Sequence, residues 1–431
     1  MDIYFKFILT FGLILLAARI GGEIAERYFK QPSVIGELAA GIIISPFAIG
    51  GLLFHDPIIL NFATIEGWFT ETGEETGELH IMEIISEIAV ICLLFVAGVE
   101  TDVRAFLRQG VTGSVVAVGG VILPFILGYV VVMTLYPDVG QNGWLFMGAV
   151  LVATSIGLTV RILMEMGRLN TTEGTTILVA AVVDDIIGIV ILSVVIQAAE
   201  TGTLDIMHGV QIAIIGFAVW FALLMFGVRF PHLISRFILG PFKKSGTSPI
   251  FAIICGFIIA YLVTLVDLHP VVGAYVAGLM FAATPEREEI AQSTRPIMLF
   301  LAPFFFAYLG MQVDLTMFGE AKPIAVALLL IGLAIVGKMV GCYIPARVVG
   351  KLPHRSGMIV GVGMVPRGEV GLIVAGAGLL AGALGTGDVA RELFGIAVLI
   401  SIVTTLVTPA MLKPLFKNKG DPHPTPKLNK T

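Results

Sequence analysis

The chain has 431 residues, of which 57% are hydrophobic and only 13% are charged, and its mean hydropathy is +0.98. Soluble proteins carry about 25% charged residues, so this composition excludes a soluble enzyme or binding domain. Apolar runs of about 20 residues recur along the chain and predict an all-α polytopic membrane protein in contact with the lipid bilayer. The net charge is −5, and no nucleic-acid partner is expected.

Thirteen transmembrane helices are predicted from these runs. They cover about 3–21, 33–53, 81–100, 113–136, 143–166, 175–198, 206–228, 247–266, 269–284, 296–313, 323–346, 356–383 and 390–412. The ninth is short and is expected to be tilted or half-buried. Phe230–Phe242 is interpreted as an interfacial connector, and the polar tail 413–431 as a disordered cytoplasmic segment.

Basic residues are distributed unequally between the two sets of loops. Loops after odd-numbered helices, together with the tail, hold nineteen Lys and Arg, whereas the opposite loops hold only Lys6, Lys322 and Arg391. Cytoplasmic loops are enriched in Lys and Arg. The pattern therefore predicts an inner-membrane protein with its N-terminus outside and its C-terminus in the cytoplasm. The acidic segment 71–78 would then face outward.

Four basic residues fall within the predicted spans. Arg19 and Arg161 are interpreted as close enough to helix ends to extend their charges to the interface. Lys338 and Arg367 lie mid-span, where a lone charge costs at least about 2.5–3.5 kcal/mol. Glu37, like Glu83 and Glu87, is interpreted as an interfacial charge near a helix end.

Three pairs of segments indicate an internal repeat. In the first two pairs, Gly98 aligns with Gly310 and Gly157 with Gly371, and each pair is seven helices apart. Because seven is odd, the two copies would have opposite orientations in the membrane. Inverted repeats are typical of secondary transporters, whose ion sites lie near the midplane. The segment pairs are 95–103 with 308–315, 154–158 with 368–372, and 33–42 with 270–279.

Two adjacent acids, Asp184 and Asp185, lie inside the apolar run "AVVDDIIGIV". Successive helical residues point about 100° apart, so the two carboxylates can meet different partners. One can pair with Lys338, while the other can face a cavity and bind either a proton or a metal cation. Such competition for one carboxylate is what a cation/proton exchanger requires. A purely structural polar network is the alternative.

Helices 5 and 12 carry related breaks near their centres. Pro366 and Gly368 interrupt a regular helix, and Thr154 and Ser155 form a milder break. Exposed carbonyls at such breaks, together with the two hydroxyls, can supply oxygen ligands to a hard cation. The alternative for the hydroxyls is bonding to their own helix.

Arg367 and Glu369 belong to the second break, "VPRGEVG". They can pair with each other or support the broken helix ends, whose partial charges lie there.

Five ordered motifs resemble the monovalent cation:proton antiporter-2 family, and the double Asp with Lys338 is most similar to NapA-type Na⁺/H⁺ antiporters. The motifs are "QPSVIGELAAGIIISP", "LLFVAGVETD", "AVVDDIIGIV", "HPVVGAYVAGL" and "MVPRGEVGLI". The resemblance implies an inverted-repeat fold with two crossed broken helices and electrogenic exchange of Na⁺ or Li⁺ for H⁺. It implies that Asp185 binds the ion and that Asp184 pairs with Lys338, which would release a proton when Na⁺ binds. The ions are transported, and no cofactor is implied.

The resemblance also implies a homodimer in which a core domain moves like an elevator against a dimerisation domain. The dimerisation domain would comprise helices 1–3 in 1–102 and, with a linker helix, 206–316. The core would comprise 113–198 and 323–412.

The sequence leaves three other functions to compare with Na⁺/H⁺ exchange. K⁺/H⁺ exchange on the same fold is the main alternative, because oxygen ligands alone do not fix cavity size. An intramembrane aspartyl protease would use "GTGD" at 385–388, but the topology places Asp388 in an outward loop. A passive channel needs no titratable pair beside a lysine.

Overall fold

A computed structural model describes residues 3–45, 48, 81–201, 206–266, 268–312, 321–380, 384 and 388–417. These residues are mostly helical, and no strand occurs among them. The helices are α1 (Ile3–Arg27), α2 (Ser33–Ile44), α3 (Ile81–Glu100), α4 (Val103–Arg108), α5 (Gly110–Leu135), α6 (Gly140–Val152), α7 (Ile156–Glu165), α8 (Thr172–Thr201), α9 (Ile206–Arg229), α10 (Ser248–Thr264), α11 (Pro270–Ala282), α12 (Arg287–Met311), α13 (Ala321–Val348), α14 (His354–Gly363), α15 (Glu369–Leu380) and α16 (Asp388–Phe416).

The all-helical membrane fold is confirmed. Within the described ranges, nine helical stretches are long and apolar enough to cross a membrane, and three shorter apolar helices accompany them. Each predicted span overlaps one helix or one broken pair of helices, but the count of thirteen stays a prediction. The acidic segment 71–78 and residues 385–387 lie outside the described residues.

Two segments need separate description: the connector after α9 and the short helix α11. The connector after α9 consists of short turns, Pro231–Leu233, Ile234–Leu239 and Gly240–Ser245, in place of a continuous helix. Helix α11, expected to be tilted or half-buried, is buried along nearly its whole length from Val271 to Phe281. A helix that is enclosed by other helices can be shorter than the thickness of a membrane, because protein and not lipid surrounds its ends.

The helices pack in two groups. In the first, α2 packs on α1 and α12, while α3 packs on α11 and α12, and α10 lies against α11. In the second, α5 packs on α6, α8 and α13, and α16 packs on α13, α14 and α15. Helix α9 contacts α8 of the second group and α11 of the first.

Glycines bring two helix pairs of the first group into backbone contact. A Cβ added to Gly41 of α2 would lie 2.0 Å from the carbonyl oxygen of Ala307 in α12. A Cβ added to Gly278 of α11 would lie 2.2 Å from the carbonyl oxygen of Phe95 in α3. Small residues allow such close approach where helices associate in a membrane. The motifs around these glycines therefore fix how the first group packs.

Candidate functional site

Two helix breaks meet inside the second group of helices. The first, between α6 and α7, covers residues 153–155, and the second, between α14 and α15, covers residues 364–368. The backbone N–H of Ser155 donates to the carbonyl of Pro366 at 2.9 Å, and the Thr154 hydroxyl donates to the carbonyl of Met364 at 3.4 Å. Hydrogen bonds between the breaks thus satisfy backbone groups that the helices leave unpaired.

Local sequence explains why each helix stops there. The Ser155 hydroxyl accepts from the N–H of Leu158 and caps the start of α7, which is a favoured role for serine. Pro366 lacks an N–H and cannot continue α14. Side chains of α16 complete the second break, because Thr405 donates to the carbonyl of Arg367 and Ser401 donates to the carbonyl of Gly368 at 3.0 Å.

Lys338 of α13 is enclosed beside the breaks. Its Nζ donates to Oδ1 of Asp184 at 2.7 Å and to the carbonyl of Val152 at 2.8 Å. The side chains of Lys338 and Asp184 are 0% and 1% exposed. Val152 ends α6, and the C-terminus of a helix carries partial negative charge. One ammonium group therefore neutralises both a buried carboxylate and a helix end.

Arg367 acts on the same helix end from the second break. Its guanidinium donates to the carbonyls of Leu151 at 2.5 Å, Val365 at 3.1 Å and Ala334 at 3.3 Å. These contacts agree with one of the two roles predicted for Arg367, the support of a broken helix end. The side chain of Glu369 lies outside the described part of the structure, so its pairing stays a prediction.

Asp185 follows Asp184 on α8 and is 4% exposed. Helix α8 packs against α6, α7, α14 and α15, the helices that border the two breaks. The hydroxyls of Thr154 and Ser155 both form hydrogen bonds: Thr154 donates to the other break, whereas Ser155 caps its own helix, so the alternative of bonding within the same helix applies only to Ser155. Asp184, Asp185, the two hydroxyls and the carbonyls of the breaks are oxygen groups in this region, and oxygen groups suit a hard cation.

A second buried charge cluster was not expected from the sequence. It comprises Ser33 and Glu37 of α2 with Arg161 and Glu165 of α7, and we call it the Arg161 cluster. Arg161 donates to Glu165 at 2.6 Å and to Glu37 at 3.5 Å, and the Arg161 and Glu37 side chains are 4% and 0% exposed. The interpretation of Arg161 as interfacial is therefore wrong, and so is that of Glu37. Their mutual attraction holds both charges away from water.

A spacing in the sequence could have indicated this cluster. Arg161 and Glu165 are four residues apart on one helix, and so are Ser33 and Glu37 on another. Residues at this spacing share one helix face. Two polar faces in otherwise apolar helices are most easily satisfied by packing against each other.

Comparisons with known proteins agree with this architecture. Residues 11–418 match the family described as sodium/hydrogen exchanger, transmembrane. The chain is 33% identical to the high-affinity Na⁺/H⁺ antiporter NhaS3 of Synechocystis sp., with 97% of this chain and 93% of that protein aligned. It is also 33% identical to the Na⁺/H⁺-K⁺ antiporter GerN of Bacillus cereus, with 96% and 97% aligned.

A solved structure has the same fold at much lower identity. The sodium proton antiporter MjNhaP1 of Methanocaldococcus jannaschii matches with a TM-score of 0.69 and 17% identity, over 98% of this chain and 100% of that one. At this identity the likeness shows the fold alone.

Proposed function

Because the chain belongs to the sodium/hydrogen exchanger family and is a membrane transporter that exchanges a cation for protons, we propose that it exchanges Na⁺ or Li⁺ for H⁺ at Asp185. The observation that carries the proposal is the buried Lys338–Asp184 pair at the meeting point of two helix breaks. Lys338 is the counterion of Asp184, and Asp185, the next residue on α8, is the carboxylate that we propose binds the exchanged cation or proton.

The ion site is proposed to combine Asp185 with Asp184, Thr154, Ser155 and carbonyls of the breaks. Na⁺ and H⁺ would compete for Asp185, because a carboxylate can bind either a cation or a proton. Lys338 and Arg367 keep the end of α6 in place while the ion changes. Transport of a second proton by Lys338 would make the exchange electrogenic.

The same scaffold also accommodates the K⁺/H⁺ alternative. The relative from Bacillus cereus, which shares 33% identity, carries both Na⁺ and K⁺ in its name. The groups around Asp185 are oxygen donors, and such donors bind either alkali cation. Selectivity is therefore a matter of cavity size, and Na⁺, Li⁺ and K⁺ belong in one assay.

We also propose that the two helix groups move against each other. Helices within 113–198 and 323–412 would form a moving core, and those within 1–102 and 206–316 the scaffold of a homodimer. The inverted repeat is supported by a second pair of equivalent contacts. Cβ atoms added to Gly98 and Gly310 would lie 2.4 Å and 2.2 Å from the carbonyl oxygens of Tyr275 and Leu38, and these positions correspond in the aligned segments.

The proposed exchange is tested with the purified protein in liposomes that contain a pH-sensitive dye. Pulses of Na⁺ or Li⁺ should move protons, and Asp185→Asn should abolish this response because the amide cannot exchange H⁺ for a cation. Asp138→Asn, a change of an acid outside the site, serves as the matched control. Normal exchange by a folded Asp185→Asn dimer would refute the site, and a larger response to K⁺ would favour the alternative.

The proposed orientation has a separate test. With the N-terminus outside, a cysteine at Lys427→Cys should react with impermeant thiol reagents only from the cytoplasmic face. The nineteen-to-three distribution of basic residues supports this expectation. Labelling from outside intact cells would reverse the assigned topology.

A further inference from the structure

The Arg161 cluster contains two carboxylates and one guanidinium that the proposed exchange at Asp185 does not use. Ser33 and Glu37 belong to α2 in the first helix group, whereas Arg161 and Glu165 belong to α7, which begins at the first helix break. The Glu37 side chain is 0% exposed and that of Glu165 is 18% exposed. The cluster therefore joins α2 of the first helix group to α7, the helix that follows the first break, through buried charges.

The two carboxylates are supported unequally. Glu165 accepts from Arg161 Nε at 2.6 Å, from the Ser33 hydroxyl at 2.5 Å and from the Ser33 backbone N–H at 2.9 Å. Glu37 receives only a 3.5 Å contact from Arg161 and a 3.1 Å contact from the same Ser33 hydroxyl. A hydroxyl has one proton to donate, and the shorter contact is to Glu165. Oε2 of Glu37 is buried without a hydrogen-bond partner among the described residues.

The surrounding charges do not remove this imbalance. Helix α1 adds Glu26, whose charge acts on Arg161 and Glu165, and Arg19, whose positive charge acts on Glu37 more weakly than Arg161 does. Helix α12 faces α2 with small and apolar residues such as Ala307 and Gly310. An ionised carboxylate that is buried with an unbonded oxygen carries a large desolvation cost. A proton on Glu37 removes that cost.

We infer that Glu37 is a second proton-binding carboxylate, separate from Asp184 and Asp185, and that its proton weakens the contact between α2 and α7. When Glu37 is ionised, Arg161 attracts a carboxylate on each helix. When Glu37 is protonated, the charged attraction across the helices is lost, and the contacts from Ser33 to Glu165 remain. Both steps can be measured without transport, so this inference and the proposed exchange function can fail separately.

Proton binding is tested by pH-difference infrared spectroscopy on the full-length protein in lipid. A buried protonated carboxyl gives a C=O stretching band that a carboxylate lacks. Lowering the pH should produce such a band, and Glu37→Gln should remove it. Glu23→Gln, which changes an exposed acid of α1, should retain the band, and so should Asp185→Asn. An unchanged difference spectrum in Glu37→Gln would overturn the assignment.

A second variant tests the assignment even if Glu37→Gln does not fold. Ser33→Ala removes the hydroxyl that lies 3.1 Å from Glu37 but keeps the carboxyl, so the polar surroundings of Glu37 change and the midpoint of the band's titration should shift. An unchanged midpoint in a folded Ser33→Ala protein would also count against Glu37 as the proton site.

The effect on the helix contact is tested by hydrogen–deuterium exchange, corrected for the intrinsic pH dependence of amide exchange. Protection of α7 in the unaltered protein should decrease as Glu37 becomes protonated. In Glu37→Gln, which mimics the neutral acid, protection should be low at every pH. Equal protection in both proteins across the titration would refute the coupling. A protein that keeps the Glu37 band but exchanges no cation for protons would refute only the proposed function.

Discussion

The two buried charge clusters differ in how their charges balance. At the helix breaks, Asp184 and Asp185 lie with Lys338 and Arg367, so two acids meet two cations. In the Arg161 cluster, Glu37 and Glu165 compete for one guanidinium. Both clusters are largely buried. The formal charges of the four side chains at the breaks sum to zero, whereas those of the Arg161 cluster sum to a negative charge.

This difference indicates what each cluster can do. In the balanced cluster each cation also binds carbonyls at the end of α6, so the cations are fixed to the backbone. Lys338 holds Asp184 there, and the exchange is proposed for the adjacent carboxylate, Asp185. In the Arg161 cluster the excess charge is relieved by a proton. Removal of a cation should therefore reduce stability most where its carboxylate partner has no second cation to pair with.

The largest expected effect follows from Lys338→Gln. Removal of the ammonium leaves Asp184 buried without its counterion, and breaking a buried pair in this way costs about 3–5 kcal/mol. Glutamine can still donate to Val152, so the loss should come mainly from Asp184. Thermal unfolding of the purified protein, followed by tryptophan fluorescence, measures the change.

A double-mutant cycle separates the charge effect from packing. Asp184→Asn together with Lys338→Gln removes both charges, so part of the stability should return. Additive losses would mean that the pair is not energetically coupled. The same Lys338→Gln protein addresses electrogenicity, since exchange that keeps its dependence on membrane voltage would show that Lys338 carries no transported proton.

A smaller loss is expected from Glu165→Gln in the Arg161 cluster. Arg161 keeps Glu37 as a counterion, and the main cost is the loss of hydrogen bonds to a charged acceptor, about 1.5–3 kcal/mol. The free energy of unfolding can be compared with that of Glu37→Gln. The double variant leaves Arg161 without either acid, so its loss should exceed the sum of the single losses. A simple sum would contradict the idea that the two acids substitute for each other.

The sequence predicted one of these clusters and missed the other for a physical reason. Asp184, Asp185 and Lys338 lie in the middle of long apolar runs, where a charge needs a partner, and the partner could be named from the sequence. Arg161 lies nearer a helix end, where an arginine can also reach the interface. Its burial depends on how α2 packs against α7, and these helices are far apart in the chain.

The helix breaks show the same limit. Pro366 marks the second break directly, and Ser155 marks the first only as a favoured capping residue. That the two breaks are joined by a hydrogen bond from Ser155 to Pro366 depends on tertiary packing. Local sequence thus located both interruptions and helix packing determined how they meet.

The smallest effect is expected where a carboxylate is exposed and needs no buried counterion. Asp102 caps α4, since its Oδ1 accepts from the N–H groups of Arg104 at 2.9 Å and Ala105 at 3.1 Å. Asp102→Ala should cost about 1 kcal/mol, which is typical for loss of an N-cap. Asp102→Asn keeps the capping oxygen and should retain most of the stability. The backbone N–H of Asp102 still donates to Asn170 in both variants. An equally large loss of stability in Asp102→Ala and Lys338→Gln would contradict the expectation that a buried charge makes the second change more costly.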